Sequence, residues 1–247
     1  MRFFVSLEYN GEKYSGWQRQ NNATSIQELL ENALSIVSGE EITVTGAGRT
    51  DAGVNASCYY AHFDTSFNFK ESQNTIYKIN AILPYDIVVK AFYKVQDEAH
   101  ARFDAVSRTY RYYIHTDKDP FASHSLFYKF DIDMEKMNQA ALHLMGTQDF
   151  TSFEKIGGAS NSGICTVTNA QWSELSENHY VFEITANRFL RNMVRSIVGT
   201  LLEVGRGKIT QDEFKAVIEK HDRGYAGQSV AGEALFLCNI EYPYELY

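Results

Sequence analysis

The sequence predicts an α+β protein made of two ferredoxin-like halves that pack around a continuous antiparallel sheet. Two observations lead to this prediction. Strand-like and helix-like segments follow the order β-α-β-β-α-β in residues 1–104, and the same order returns, with one extra helix, in residues 105–247. No proline- or glycine-rich linker interrupts residues 96–108, where the halves meet, so we expect the halves to pack tightly.

The first half contains four predicted strands and two predicted helices. The strands are rich in apolar, β-branched and aromatic residues and cover residues 2–8, 42–46, 57–64 and 87–95. The first helix runs from Ser25 to Val37, because Ser25 and Glu28 have the spacing of a capping box and apolar residues follow at helical spacing. The second helix covers residues 73–82 and ends before Pro84.

The second half repeats this pattern with one more helix. Its predicted strands cover residues 109–116, 164–174, 179–186 and 234–242. Helices are predicted over residues 134–145, after Asp133 as N-cap, and over residues 188–203. A further helix opens at Thr210, which has capping-box spacing to Glu213. We expect residues 155–163 to form a mobile loop.

The charge of the chain is negative overall but unevenly distributed. The 247 residues carry a formal net charge of −8, which by itself argues against binding to nucleic acid. Residues 187–208 are an exception, because their one acid, Glu203, stands among Arg188, Arg191, Arg195, Arg206 and Lys208. A local basic patch therefore remains compatible with the composition.

Cysteine and histidine usage predicts a cytoplasmic protein without a metal. Cys58, Cys165 and Cys238 are far apart and form no C-x-x-C motif, so we expect reduced, buried thiols. The histidines lack the spacing of metal ligands. The N-terminus has no apolar stretch typical of a signal peptide, and no apolar run reaches the roughly 18 residues that a membrane span needs.

The string GAGRTDAGV, residues 46–54, is the most unusual local motif. Its three glycines allow a tight turn and close approach of a ligand, and the turn carries Arg49 and Asp51. A dinucleotide-binding motif would need glycine at the position of Asp51 and a helix afterwards, and a P-loop would need a Gly-Lys-Ser/Thr sequence. Neither applies, which leaves a catalytic turn or an ordinary surface turn.

Two further segments favour binding of RNA. Arg188, Arg191 and Arg195 would lie together on one face of the predicted helix 188–203, where an anionic partner would relieve their mutual repulsion. A solvated basic face is the plain structural alternative. Tyr110 lies on the tyrosine-rich strand 109–116, which suits either a packed core or a platform for unstacked bases.

Five motifs, in order, resemble the tRNA pseudouridine synthase A family. They are YNGEKYSGWQRQ with SIQELLENAL, GAGRTDAGV, NAILPYDIVV, RFDAVSRTYRYYI and NRFLRNMVRSIVGTLLEVGRG, and they extend from residue 9 to residue 207. The resemblance implies two ferredoxin-like halves, a homodimer that binds tRNA across both subunits, and isomerisation of uridines in the anticodon stem-loop without a cofactor.

The resemblance also implies roles for individual residues. Asp51 matches the family's catalytic aspartate, and Arg49 matches the arginine that helps to hold the place of the flipped-out base. Tyr110 matches the tyrosine that stacks on the target base, and Arg195 matches the basic residue that pairs with the aspartate. The segment AGQSVAGEALFL departs from the family, which usually has prolines before the last strand and glycine at the position of Ala234.

Two other functions remain open on the residues alone. A non-catalytic RNA-binding protein would use the arginines and tyrosines equally well, but it has no use for Asp51, whose carboxylate repels phosphate. A small-molecule enzyme would explain the glycine-rich turn but not the three arginines. Asp51 is therefore the residue that discriminates between catalysis and binding.

Overall fold

The structure is a computed structural model that describes residues 1–69, 74–158 and 161–246. The chain is a mixed α and β protein that divides into two compact units. Unit 1 comprises Met1–Val106 and Leu237–Tyr247, and unit 2 comprises Ser107–Phe236. The strand pairs of known register are antiparallel, except for one short parallel pair in unit 2.

Unit 1 begins with the predicted order of elements. They are β1 (Arg2–Tyr9), α1 (Ile26–Ser38), β2 (Thr45–Gly46), β3 (Asn55–Asp64), α2 (Thr75–Ile82) and β4 (Ile87–Val95). Strand β1 lies between β3 and β4, and β2 pairs with β3. The order β-α-β-β-α-β is thereby confirmed for this unit, whereas residue 73 of the predicted second helix lies outside the described residues.

Helix α1 follows from its end signals and its apolar stripe. The Ser25 hydroxyl accepts a hydrogen bond from the Glu28 amide at 3.3 Å, which satisfies one of the donors left over at the helix start. Ile26 and Leu30 are among the buried residues on the apolar face of this helix. Gly39 ends the helix in the left-handed conformation, with φ of 73°.

The core of unit 1 lies on one face of the sheet. Alternate side chains of β1 are buried on this face, beginning with Phe3. The Phe3 ring lies 6.1 Å from Phe63 on β3, and Phe63 meets Phe69 edge to face at 5.1 Å. Edge-to-face contacts between buried rings stabilise the fold by more than the burial of their apolar surface alone.

The opposite face of β3 carries a buried histidine. His62 is 6% exposed, and its Nδ1 accepts a hydrogen bond from the Ala101 amide at 3.1 Å. Burial lowers the pKa of His62 to about 4, with His100 and Arg2 acting in the same direction. The folded unit therefore holds this imidazole in its neutral form at pH 7.

We expect His62 to make the stability of the protein depend on pH. Because its folded-state pKa lies below the ordinary value of 6.5, its contribution is complete above pH 6.5 and is lost as the pH falls towards 4. Between pH 7 and pH 5 this amounts to about 2 kcal/mol of unfolding free energy. Urea unfolding of wild type and His62→Asn, which keeps an acceptor but does not titrate, measures it. Equal pH dependence of the two proteins would contradict the prediction.

Unit 2 contains more elements than the sequence predicts. They are β5 (Ser107–His115), β6 (Leu126–Phe127), α3 (Met134–Ala141), β7 (Gly146–Asp149), β8 (Ile164–Ser176), β9 (His179–Ala186), α4 (Met193–Gly205) and α5 (Gln211–Lys220). Strand β9 lies between β5 and β8, and β7 forms the far edge. The last strand is β10 (Leu235–Glu241), most of which belongs to unit 1.

The core of unit 2 is built around Phe182 on β9. Phe182 stands opposite Tyr112 on β5 and Trp172 on β8, and all three side chains are almost fully buried. The Trp172 and Phe182 rings lie 5.1 Å apart. Asp133 caps α3 and Thr210 forms the capping box of α5 with Glu213, as predicted.

Three predicted elements differ from the observed bounds by more than two residues. Only Thr45–Gly46 of the predicted strand 42–46 is a strand, and helix α3 ends at Ala141, after which one turn of 3-10 helix and β7 follow. The predicted helix 188–203 begins only at Met193. Of the expected mobile loop 155–163, residues 159–160 lie outside the described residues. The division into ferredoxin-like halves 1–104 and 105–247 stays a prediction.

None of the three cysteines is part of a disulfide, as expected. Only Cys165 is buried, whereas Cys58 and Cys238 are half-buried, which corrects the expectation of three buried thiols. Burial raises the pKa of Cys165 to about 11.

None of the helices in the described ranges is long and apolar enough to cross a membrane.

Candidate active site

The turn 46–54, called here the Asp51 turn, connects β2 to β3 in unit 1. It starts with a hydrogen bond from the Ala47 amide to the Tyr60 carbonyl at 2.8 Å and closes with one from the Val54 amide to the Asp51 carbonyl at 3.2 Å. Arg49 is exposed, Asp51 is half-exposed and Thr50 between them is buried. The turn therefore presents two charged side chains from an anchored backbone.

Residues 9–17 hold the Asp51 turn in place. The Trp17 amide donates to the Thr50 carbonyl at 3.2 Å, and the Gly53 amide donates to the Tyr14 carbonyl at 3.4 Å. The Thr50 hydroxyl is hydrogen-bonded to the Tyr9 hydroxyl at 2.9 Å. Three contacts on both sides of Asp51 thus fix the backbone that carries the carboxylate.

Buried aromatic rings support the same turn. The rings of Trp17 and Tyr59 lie 4.2 Å apart, and Tyr9 meets Tyr59 edge to face at 5.6 Å. The Tyr59 hydroxyl donates to the carbonyl of Gly48 within the turn. Because close-packed rings resist displacement, this cluster gives the turn a rigid base.

Gly16 allows residues 9–17 to approach the turn. Its φ of 90° is unfavourable for other residues, and a Cβ atom there would lie 2.3 Å from the Thr50 carbonyl oxygen and 3.0 Å from the Asp51 carbonyl carbon. Gly16 and Trp17 are not among the residues that the sequence predicts for the site. The signal in the sequence is the string YSGWQ, in which Gly16 lies between the aromatic residues Tyr14 and Trp17.

Tyr110 lies on β5 in unit 2. It stands opposite Ile184 on β9, is half-buried, and meets the Phe189 ring edge to face at 5.1 Å. Tyr112, two residues on, is fully buried, and its hydroxyl donates to the Ala231 carbonyl at 3.0 Å. Tyr112 is thus a core residue, and burial raises its pKa. Tyr110, in contrast, is only half-buried.

Arg188 and Arg191 do not lie on a helix, which corrects the predicted three-arginine helical face. Strand β9 ends at Ala186, and both arginines belong to the connection before α4. Asn192 adopts the left-handed conformation with φ of 66°, so a single helix cannot run through it from residue 188. Arg188 donates to the Ser162 carbonyl at 3.3 Å, and Arg191 is exposed.

Arg195 is the one predicted arginine on α4. Its Nε donates to the Val230 carbonyl at 2.7 Å, and its own carbonyl accepts from the Val230 amide at 3.2 Å. Unit 2 thus contains Tyr110, Arg188, Arg191 and Arg195, and unit 1 contains Arg49 and Asp51.

Over residues 1–69, 74–158 and 161–246, no group of three or more His, Cys, Asp or Glu side chains is arranged to hold a metal ion.

Similarity to known proteins defines the class of this protein as an RNA-modifying isomerase. A family model described as tRNA pseudouridine synthase matches residues 5–104 and 140–243. Asp51 and Arg195 fall within the matched ranges, whereas Tyr110 lies between them. The chain belongs to the tRNA pseudouridine synthase family and is accordingly an isomerase that acts on uridine in tRNA.

Relatives of similar length share this assignment. A tRNA pseudouridine synthase A of Bacteroides fragilis is 49% identical and is aligned over 100% of this chain and 98% of its own length. The enzyme of the same name from Bacillus subtilis is 38% identical, with 98% and 99% covered. Among solved structures, a chain of an archaeal box H/ACA sRNP Nop10-Cbf5 complex is 12% identical, and the match covers 94% of this chain and 58% of that chain. Its TM-score of 0.39 is too low for a comparison of folds.

Proposed function

We propose that Asp51 is the catalytic carboxylate and that the target uridines lie in the anticodon stem-loop of tRNA. The observation that carries the proposal is the position of Asp51, half-exposed on a turn whose neighbouring residues are bonded to residues 9–17. A carboxylate held by a rigid frame can be presented to a substrate without rearrangement of the protein.

The reaction needs little beyond such a carboxylate. It breaks the bond between C1′ of the ribose and N1 of uracil and forms a bond between C1′ and C5. The hydrogen on C5 leaves to water, and N1 takes up a proton from water in exchange. Nothing is oxidised or reduced, and no atom is gained or lost by the nucleotide. The Asp51 carboxylate acts either as nucleophile or as base, and both roles place it beside the same sugar and base edge.

Tyr110 and the arginines serve binding in this proposal. The base must leave its stack, at a cost of about a few kcal/mol, and stacking on Tyr110 would recover roughly 1–3 kcal/mol. Arg195 orients the Asp51 carboxylate, as the family resemblance implies. Arg49, Arg188 and Arg191 contact phosphates or the vacated place of the base, which offsets the overall negative charge. The working form is a homodimer with tRNA as its partner.

Tritium release tests the proposed target. Wild-type protein should release tritium from tRNA whose C5-labelled uridines lie in the anticodon stem-loop, because isomerisation frees that hydrogen. The same tRNA labelled only outside this stem-loop is the matched control and should release none. Release mainly from the control substrate would contradict the anticodon stem-loop as target but would leave the isomerase activity intact.

A further inference from the structure

Residues 226–231 of unit 2, called here the strap, lie directly on helix α4. The Gly227 amide donates to the Thr200 hydroxyl on this helix at 2.9 Å. A Cβ atom on Gly199 would lie 1.9 Å from the Gln228 carbonyl oxygen, so only glycine permits this approach. The strap therefore crosses α4, the helix that carries Arg195, and the backbones of strap and helix are in close contact.

The strap binds Arg195 at two points. Val230 accepts a hydrogen bond from Arg195 Nε at 2.7 Å and donates its amide to the Arg195 carbonyl at 3.2 Å. A hydrogen bond from a charged donor is stronger than a neutral one, and a bond through Nε fixes the plane of the guanidinium. The direction of the Arg195 side chain thus depends on the position of Val230.

Ser229 in turn holds the strap. Its hydroxyl oxygen accepts from Asn192 Nδ2 at 2.6 Å and from Arg223 Nη2 at 3.0 Å. Asn192 immediately precedes α4, and Arg223 also donates to the Ala226 carbonyl at 3.0 Å through Nη1. Both lone pairs of the hydroxyl are used, so this one atom joins the strap to the start of the helix and to the turn before the strap.

We propose that Ser229 is a positioning residue, which fixes the strap and through Val230 the Arg195 guanidinium. The inference rests on the proposed function, in which Arg195 orients Asp51. Residues 226–234 contain no proline, so no pyrrolidine ring restricts this backbone. Side-chain hydrogen bonds to Ser229 restrain it instead. Ser229 does not itself touch the RNA in this proposal.

Steady-state kinetics with labelled tRNA test the role of Ser229. Ser229→Ala should lower kcat about tenfold and leave KM within about twofold, because the strap and with it the Arg195 guanidinium lose their fixed position while Ser229 makes no contact with the RNA. Ser229→Thr keeps the hydroxyl and should retain near wild-type kcat, and exposed Ser173→Ala is the control for surface substitution. Equal kcat for wild type and Ser229→Ala, or equal losses in the Ala and Thr variants, would overturn the proposal.

A double-mutant cycle separates this role from a general structural one. If Ser229 acts through Arg195, Ser229→Ala should cause no further loss of kcat in an Arg195→Gln background. Multiplying losses would overturn the inference while leaving the proposed function in place. Wild-type kcat for Arg195→Gln alone would instead refute the role of Arg195. Arg223→Gln, which removes one of the two donors, should give a smaller loss in kcat and keeps the test possible if Ser229→Ala fails to fold.

Discussion

Asp51→Asn should abolish tritium release from tRNA, with a loss of roughly a thousandfold or more, while the Kd for tRNA stays within a few fold. The amide has nearly the size and shape of the carboxylate, so the turn keeps the hydrogen bonds to residues 9–17 that its backbone and the Thr50 hydroxyl make. What is lost is the negative charge. Single-turnover tritium release and tRNA binding by filter retention measure the two quantities.

The control for this substitution is Asp131→Asn, which removes an exposed carboxylate from unit 2 and should leave both quantities unchanged. Circular dichroism and the unfolding midpoint establish that Asp51→Asn is folded. Near wild-type release by a folded Asp51→Asn protein would make Asp51 a turn residue only. Loss of tRNA binding together with release would indicate a role of Asp51 in forming the site, and would remove the case for a catalytic carboxylate.

Gly16→Ala should lower the free energy of unfolding by about 3 kcal/mol and strongly reduce tritium release. Two effects combine at this position. The φ of 90° costs energy for any residue with a Cβ atom, and that atom would stand 2.3 Å from the Thr50 carbonyl oxygen. Since the clashing oxygen belongs to the backbone next to Asp51, relief of the clash moves either Thr50 or residue 16 and so disturbs the contact that holds the carboxylate in place.

Gly39→Ala is a matched control, because Gly39 has φ of 73° but no heavy atom within 4 Å of a Cβ placed there. It should lose about 1–2 kcal/mol from the backbone conformation alone and keep full activity. Urea unfolding and tritium release compare the two variants. The same destabilisation in both, with activity retained in both, would show that the contact between Gly16 and Thr50 is unimportant for the turn.

Elements with strong local signals were predictable from the sequence. Helix α1 has a serine cap and an apolar stripe, α5 has a complete capping box, and β4 matches the predicted residues 87–95. The Asp51 turn was also recognisable, since its glycines and charged residues lie in one short string. Such features depend on neighbours in sequence, which a single chain displays directly.

The support of the site was not predictable, because it depends on distant contacts. Trp17 reaches Thr50 and Tyr59 across more than thirty residues of sequence, and no periodicity reports such contacts. The prediction of a helix through residues 187–192 was wrong for a related reason. The apolar residues of this connection continue the spacing of α4, but Asn192 takes a left-handed conformation, and its side-chain amide donates to Ser229 of the strap. Tertiary contacts therefore decide where this helix begins.

The bonds between residues 9–17 and the Asp51 turn bear on which partner must rearrange during catalysis. A turn held at Thr50 and Gly53 and supported by packed rings has little freedom to follow a base into the groove of a folded RNA. With Asp51 as the catalytic group, the reorganisation falls on the nucleic acid. Turnover should then rank substrates by how readily their uridine unstacks, so that a loosely paired stem is a better substrate than a stable one with the same sequence around the target.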